Sequence, residues 1–307
     1  MRKSVLILGA SGRFGRHAAE AFWNAGWAIH TFDRMTDDLM QTAKGMDVIV
    51  AAWNPLYPSW ATQLLPLHKQ VQAAAKVCGA TVIVPSNVYV YAPDAPQPWS
   101  PDTPHLAQNP LGRLRVEMEQ SYRDSGVQTI FLRAGDFIDT EQTDSWLDKV
   151  ILKSLHKGKL VYPGDLDTPH SWAYLPDLAQ AATQLANQRI DLQQIEDITF
   201  EGYTLTGRDF AHALSQSMQS PVIPSQMSWR PLQAAQVVWP LARHLIEMRY
   251  LWDVPHRLDG SRLRRLCTDY RDTDLNEAMS GLIRTAIPSQ PRPSSRCALK
   301  RGHLRLT

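Results

Sequence analysis

Cysteine is scarce in this chain of 307 residues: Cys78, Cys267 and Cys297 stand far apart, with no CxxC pair. That spacing excludes a disulfide framework and a cysteine-built zinc site, and it suits a reducing cytoplasm. An excess of one charge is also missing. Thirty-two Lys and Arg face 30 Asp and Glu, for a net charge of +2, which offers little to nucleic acid or to an anionic membrane surface. No uncharged apolar run approaches the ~18 residues of a membrane span. The nearest, Leu232–Trp252, is interrupted by Arg243, His244, Glu247 and Arg249. The opening MRKSVLILGASG has a basic start, but its apolar run falls short of the roughly 7–15 residues of an export signal and ends in glycine. There is no GxSxG elbow for a serine hydrolase and no Gly-Lys-Ser/Thr to close a phosphate loop. These absences describe a cytoplasmic protein with no metal, membrane or nucleic-acid partner.

What is present is core material. Hydrophobic residues make up 44% of the chain, and ten of them are tryptophan, enough for one large domain or two lobes. Val5–Leu8 is a short, wholly apolar run, the pattern of a parallel strand buried on both faces. Further strands fit Ala28–Phe32, Asp47–Ala52, Ala80–Pro85 and Gln128–Leu132, alternating with helices over Arg16–Ala25, Gln63–Val77 and Gly112–Asp124. The six prolines of Pro93–Pro110 read as a surface loop. Strands and helices at this spacing predict an α/β fold: a Rossmann-type doubly wound parallel sheet over 1–165. Beyond it the spacing predicts a smaller, mainly helical C-terminal lobe over 166–287, bearing the substrate. After Arg133 the pattern changes, and helices fit Trp146–His156, Pro176–Gln188, Arg208–Met218 and Trp229–Leu251. Short strands fit Leu160–Tyr162 and Ile198–Phe200, with sheet elements returning near 190–200. The basic run Arg257–Arg271 reads as the solvated side of an amphipathic helix. The tail 288–307, rich in proline, serine and basic residues, predicts disorder.

The chemistry begins at Gly9-Ala10-Ser11-Gly12-Arg13-Phe14-Gly15, a GxxGxxG turn between the first strand and the first helix. Gly9 allows a sharp turn, Gly12 lets backbone approach a pyrophosphate, and Gly15 lets the helix pack close to the strand. The helix N-terminus then presents free N–H groups to the phosphates. Asp33, 18 residues after Gly15, ends the second predicted strand, where a carboxylate accepts the adenosine ribose hydroxyls of NAD. Arg34 and Arg13 are read as close enough to pair with a 2′-phosphate, which favours NADP instead. The cofactor is therefore read as NAD or NADP.

With this turn in place, residues 3–185 resemble the short-chain dehydrogenase/reductase superfamily in its extended, epimerase-like branch. Asp47-Val48 resembles the pair that flanks the adenine, and Ala51-Ala52, followed by Trp53, resembles the small residues that pass beside the cofactor. Pro85-Ser86-Asn87-Val88-Tyr89-Val90-Tyr91 is similar to the branch's Ser-Ser-x-x-Val-Tyr-Gly segment, and Asn109–Arg115 to its Pro-Tyr-Gly-x-Ser-Lys segment. Leu132–Phe137 and Trp172–Ala179 match two later stretches. The resemblance implies a nicotinamide cofactor held by Gly9, Ser11, Gly12, Arg13, Phe14, Gly15, Asp33, Arg34, Asp47, Val48, Ala51, Ala52, Trp53, Asn87 and Arg115.

The departures from the family are chemical. The family uses a Ser, a Tyr and a Lys, where this chain has Asn87, Leu111 and Arg115. Leucine cannot move a proton, and arginine can hold a ribose hydroxyl but will not act as an acid near neutrality. Candidate replacements are Asn87 as an oxyanion-type donor, with Tyr89, on the same face of an extended strand, or Asp136 as the acid. Trp53–Pro58 and Trp146 could cover a nicotinamide or a planar substrate, or simply pack on their own domain. His170 and Asp177 read more simply as structural. Two functions follow: an NAD(P)-dependent oxidoreductase or epimerase-like enzyme acting on a small carbonyl or sugar-like molecule, or a catalytically inactive NAD(P)-binding sensor. Oligomeric state is left open, a homodimer included.

Overall fold

The computed structural model describes residues 2–143 and 145–287. The tail expected to be disordered lies outside the described residues. The first half alternates as expected: β1 (Ser4–Leu8), α1 (Arg13–Asn24), β2 (Ala28–Phe32), α2 (Leu39–Thr42), β3 (Val48–Ala51), α3 (Trp60–Cys78), β4 (Thr81–Asn87), α4 (Pro110–Ser125) and β5 (Thr129–Ala134). It continues with β6 (Asp136–Ile138), β7 (Lys159–Tyr162), β8 (His170–Tyr174), α5 (Leu175–Asn187), β9 (Ile195–Thr199), β10 (Tyr203–Leu205), α6 (Gly207–Met218) and β11 (Ile223–Gln226). Helices α7 (Arg230–Ala235), α8 (Pro240–Glu247), α9 (Tyr250–Asp253), α10 (Ser261–Leu266) and α11 (Leu275–Ala286) complete it.

The main sheet has the order β2-β1-β3-β4-β5-β9, and every neighbouring pair is parallel. From β1 the chain steps outward to β2, then returns to place β3 on the other side of β1. This reversal opens a crevice at the carboxyl ends of β1 and β3, where ligands bind in open α/β sheets. Because β1, β3 and β5 are buried on both faces, their apolar sequences are continuous rather than alternating. One face packs Phe14, Ala18 and Phe22 of α1 with Leu178, Ala182 and Leu185 of α5. The other packs Leu64 and Val71 of α3 with Met118 and Tyr122 of α4.

Residues 175–199 therefore belong to the sheet's own core, so the boundary expected at 165/166 does not divide the packing. The lobe also contains strands the sequence did not suggest: β8 joins β6 and β10 in a three-stranded sheet, and β11 pairs with β7. The helix expected over Trp229–Leu251 is three pieces. Pro240 stands at the start of α8 and lacks the N–H that a continuous helix would use. Val237, Val238 and Trp239 before it are exposed. The proline-rich loop is not wholly superficial, since Trp99 is fully buried and stacks on His256. In the basic run, Arg262 pairs with Glu196 at 2.8 Å, and Arg264 pairs with Glu201.

Two buried imidazoles tie stability to pH. His68 lies 2.8 Å from the Tyr122 hydroxyl between α3 and α4, and His256 is sandwiched beside Trp99. Burial pushes each from 6.5 down to about 3. Both are neutral in the fold but accept protons when unfolded, so their contribution is complete above pH 6.5 and lost as pH falls towards 3. With both titrating in the unfolded chain alone, stability is expected to decline by about 2.7 kcal/mol per pH unit across that window. Urea midpoints at pH 7, 5.5 and 4 measure it. A flat profile would show that neither imidazole is held neutral.

Candidate functional site

The crevice is built first by backbone. Gly9 adopts φ +80°, a left-handed conformation, and a Cβ there would lie 2.9 Å from the Trp53 backbone beyond β3. The Gly12 N–H donates to the Gly9 carbonyl at 2.9 Å, closing the turn. A Cβ on Gly15 would fall 2.1 Å from the same carbonyl. Strand end, turn and helix are thus packed backbone to backbone. No side chain caps the N-terminus of α1, and no acid occupies its first turn, so its leading N–H groups and the positive end of its dipole stay available for an anion. That cradle fits a dinucleotide diphosphate.

The expected cofactor residues divide by strand end. Ala51, Ala52 and Trp53 follow β3 at the crevice, and the Trp53 indole meets Phe32 edge-on at 5.7 Å. Asp33 and Arg34 are exposed at the carboxyl end of β2, and one Asp33 oxygen accepts the Met35 N–H at 2.9 Å. Ser11 and Arg13 are exposed at the turn, whereas the Phe14 side chain is buried in the core, so Phe14 offers a ligand only its backbone.

Asp47 and Val48 stand at the opposite end of the sheet. Val48 begins β3, and Asp47 accepts the Ser4 N–H at 2.8 Å and pairs with Arg189 at 2.6 Å. In a parallel sheet the amino end of a strand lies across the sheet from the ligand crevice, so this pair cannot flank an adenine. Among the described residues only β2 lies beyond β1 in the main sheet. Arg13 also departs from expectation. Its guanidinium lies over the Phe137 ring, 5.4 Å from its centroid.

Below the turn lies an open crevice with a cavity volume of about 110 Å³. Tyr57, Tyr89, Asp136 and Arg13 contribute its polar groups, and Phe137, Trp146, Trp172, Trp252 and Met248 are among its apolar walls. The Tyr57 and Tyr89 hydroxyls are 2.6 Å apart. Burial pushes both up. Both therefore remain protonated near neutrality. The sequence suggested Tyr57 only as one of the covering aromatics of Trp53–Pro58, not as a partner of Tyr89. The available signal was that it and Tyr89 each follow the carboxyl end of neighbouring strands, β3 and β4, which must converge.

Asp136 accepts a hydrogen bond from His170 Nε2 at 2.8 Å. Burial alone would push its carboxyl up, but the His170 hydrogen bond, with the Arg13 guanidinium nearby, holds it below the ordinary carboxylate range. Asp136 is thus an anion and cannot be the acid that the sequence suggested. His170 stacks on Trp252 at 4.3 Å and an interplanar angle of 3°, fixing that wall.

Asn87 and Arg115 serve the architecture. Asn87 ends β4, and its side-chain oxygen accepts the Tyr89 N–H at 3.1 Å, which sets the turn that carries Tyr89. Arg115 is buried, with its guanidinium 4.2 Å from the Trp60 ring centroid and donating to Asn54 at 2.8 Å. It straps the Trp53–Pro58 loop and places a positive charge near both tyrosines. Leu111, at the family's Tyr position, is 1% exposed. Glu247 of α8, which sequence reasoning missed, accepts the Leu111 N–H at 2.6 Å and the Asn109 amide at 2.9 Å.

His105, Glu119 and Asp197 come close enough together to suggest a metal site. The cation there is Arg133. Fully buried, it donates to Glu119 at 2.8 Å, to Asp197 at 2.8 Å and to the Asn87 carbonyl at 2.7 Å.

No protein-family model matches the chain, and no curated protein matches it either. Solved structures do. MoeE5 in complex with UDP-glucose and NAD superposes with a TM-score of 0.71 at 16% identity, over 91% of this chain and 97% of that one. UDP-glucose 4-epimerase from Bifidobacterium longum, in complex with NAD+ and UDP, gives 0.70 at 13% identity, over 93% and 99%. A putative epimerase from Burkholderia cenocepacia gives 0.73 at 14% identity, over 94% and 99%. At such identities the likeness establishes the fold: the Rossmann-type architecture of these epimerases runs through nearly the whole chain.

Proposed function

We propose that the chain is a nicotinamide-dinucleotide-dependent oxidoreductase or epimerase-like enzyme acting on a small carbonyl or sugar-like substrate. The uncapped N-terminus of α1, set behind three close-packed glycines at the reversal of strand order, carries this reading. When bound, the nicotinamide supplies or accepts the hydride. In the reducing direction the carbonyl carbon gains that hydride and its oxygen gains a proton, giving an alcohol. The proton must come from a group still protonated near neutrality, which favours the tyrosine pair over Asp136. Calorimetry with NAD, NADH, NADP and NADPH tests the reading on folded protein: saturable heat supports it, and none from any of the four removes it.

NAD is the preferred form. Asp33 accepts ribose hydroxyls and repels a 2′-phosphate, and with Arg13 turned over Phe137 only Arg34 remains to compensate. Asp33→Ala is expected to weaken NAD binding about tenfold, the scale of one lost charge-assisted hydrogen bond, and to narrow the gap to NADP. Equal affinities in the parent protein would refute the preference.

The alternative is a catalytically inactive nucleotide sensor. Leu111, buried at the position of the family's proton-transferring Tyr, with its N–H held by Glu247, favours it. Tight nucleotide binding without turnover of quinones, aldehydes or nucleotide sugars would select the sensor.

A further inference from the structure

We infer that the crevice takes an uncharged carbonyl compound with a flat aromatic body, its oxygen anchored by the Tyr57–Tyr89 hydroxyl pair, and refuses nucleotide sugars. This rests on the dinucleotide reading above and names the substrate class for the same site. Charge decides against a nucleotide sugar. Among the described residues lining the crevice, Arg13 is the one Lys or Arg and Asp136 the one carboxylate. Arg13 opens α1, beside the cradle for the cofactor's own diphosphate. A nucleotide sugar's diphosphate would bring its negative charges into a lining whose one cation, Arg13, is already matched by an ionised Asp136, and burying unpaired charge is among the costliest steps in binding.

Shape decides for a flat body. Phe137 and Trp146, both half-buried, bring ring surface to the crevice, and behind them Trp172 and Trp252 are almost wholly buried, Trp252 held by its stack on His170. Rings of this kind gain both buried area and offset or edge contacts from a planar guest.

The anchor is the hydroxyl pair. At 2.6 Å, one hydrogen of the two is spent between the oxygens. The other remains for an outside acceptor, and a carbonyl oxygen needs one donor.

Calorimetry on the full chain saturated with NAD tests the inference, with acetophenone, benzaldehyde and UDP-glucose as probes. Acetophenone and benzaldehyde are expected to bind at least tenfold more tightly than UDP-glucose. Tyr57→Phe is expected to weaken both aryl carbonyls about fivefold, as for one neutral hydrogen bond, with NAD affinity unchanged. In the same variant, NADH oxidation by benzaldehyde should slow by 100-fold or more, the scale of losing a positioned proton donor. Tighter binding of UDP-glucose overturns the inference, as does NAD binding with no heat from either aryl carbonyl. So does a pair of variants, Tyr57→Phe and Tyr89→Phe, that both keep parental affinity and rate. Failure of NAD itself to bind is a separate result and removes the parent reading.

Discussion

Gly15→Val is expected to destabilise the fold by about 3 kcal/mol or more and to weaken NAD binding at least 100-fold. A Cβ at this position would stand 2.1 Å from the Gly9 carbonyl, so either α1 must move off β1 or the turn must open. Moving α1 disturbs Phe14, Ala18 and Phe22, which pack in the core. Opening the turn breaks the Gly12 N–H bond to Gly9 and turns the leading N–H groups away from their ligand. Gly26→Ala is the control. Gly26 has φ +81° but open space where its Cβ would sit, so it should lose only about 1 kcal/mol through backbone strain, with NAD affinity intact. Thermal melts and calorimetry on both variants separate the two effects. Parental affinity in Gly15→Val would mean that the cradle does not hold the nucleotide.

Arg133→Met should lose about 3–5 kcal/mol, the cost of removing one partner from a buried ion pair. Arg133 sits at 0% exposure between Glu119, at 1%, and Asp197, at 7%. Without it, two carboxylates face each other in the interior and the Asn87 carbonyl loses its donor. Replacing the acids too, as Arg133→Met with Glu119→Gln and Asp197→Asn, should recover much of the deficit, because the stranded charges are gone. Denaturant midpoints on the single and triple variants measure this. A triple variant no more stable than the single would show that Arg133 acts by filling space rather than by neutralising charge. The Asn87 carbonyl bond also links this cluster to the turn bearing Tyr89, so a slipped Tyr89 should accompany the loss.

The sheet was legible because its causes are local. Val5–Leu8 is apolar without interruption, Gly79 and Gly126 stop helices, and the three glycines name their turn. Strands β8, β10 and β11 were not legible. His170–Tyr174 mixes His, Ser, Trp, Ala and Tyr, and its apolar neighbours come from β6 and β10, distant in sequence. Asp47 misled because a family motif was matched by composition at a strand whose beginning, not its end, carried it. Arg13 misled because a place in the turn says nothing about the direction a long side chain takes, here over Phe137. Tyr57 and Tyr89 are 32 residues apart, and only the ordering of β3 beside β4 brings them together. Asp136 was found as a residue but not as an anion, since its charge state depends on His170, 34 residues further along.

The segment roofing the crevice is bolted at both ends. Glu247 grips the start of α4, and five residues later Trp252 lies flat against His170. Between them Met248 and Leu251 look down into the hollow. A canopy tethered this way does not swing aside as a hinged cover would without giving up a carboxylate–amide bond and a ring stack together. Anything that enters must therefore pass a standing aperture, where bulk and flatness act before anything inside can.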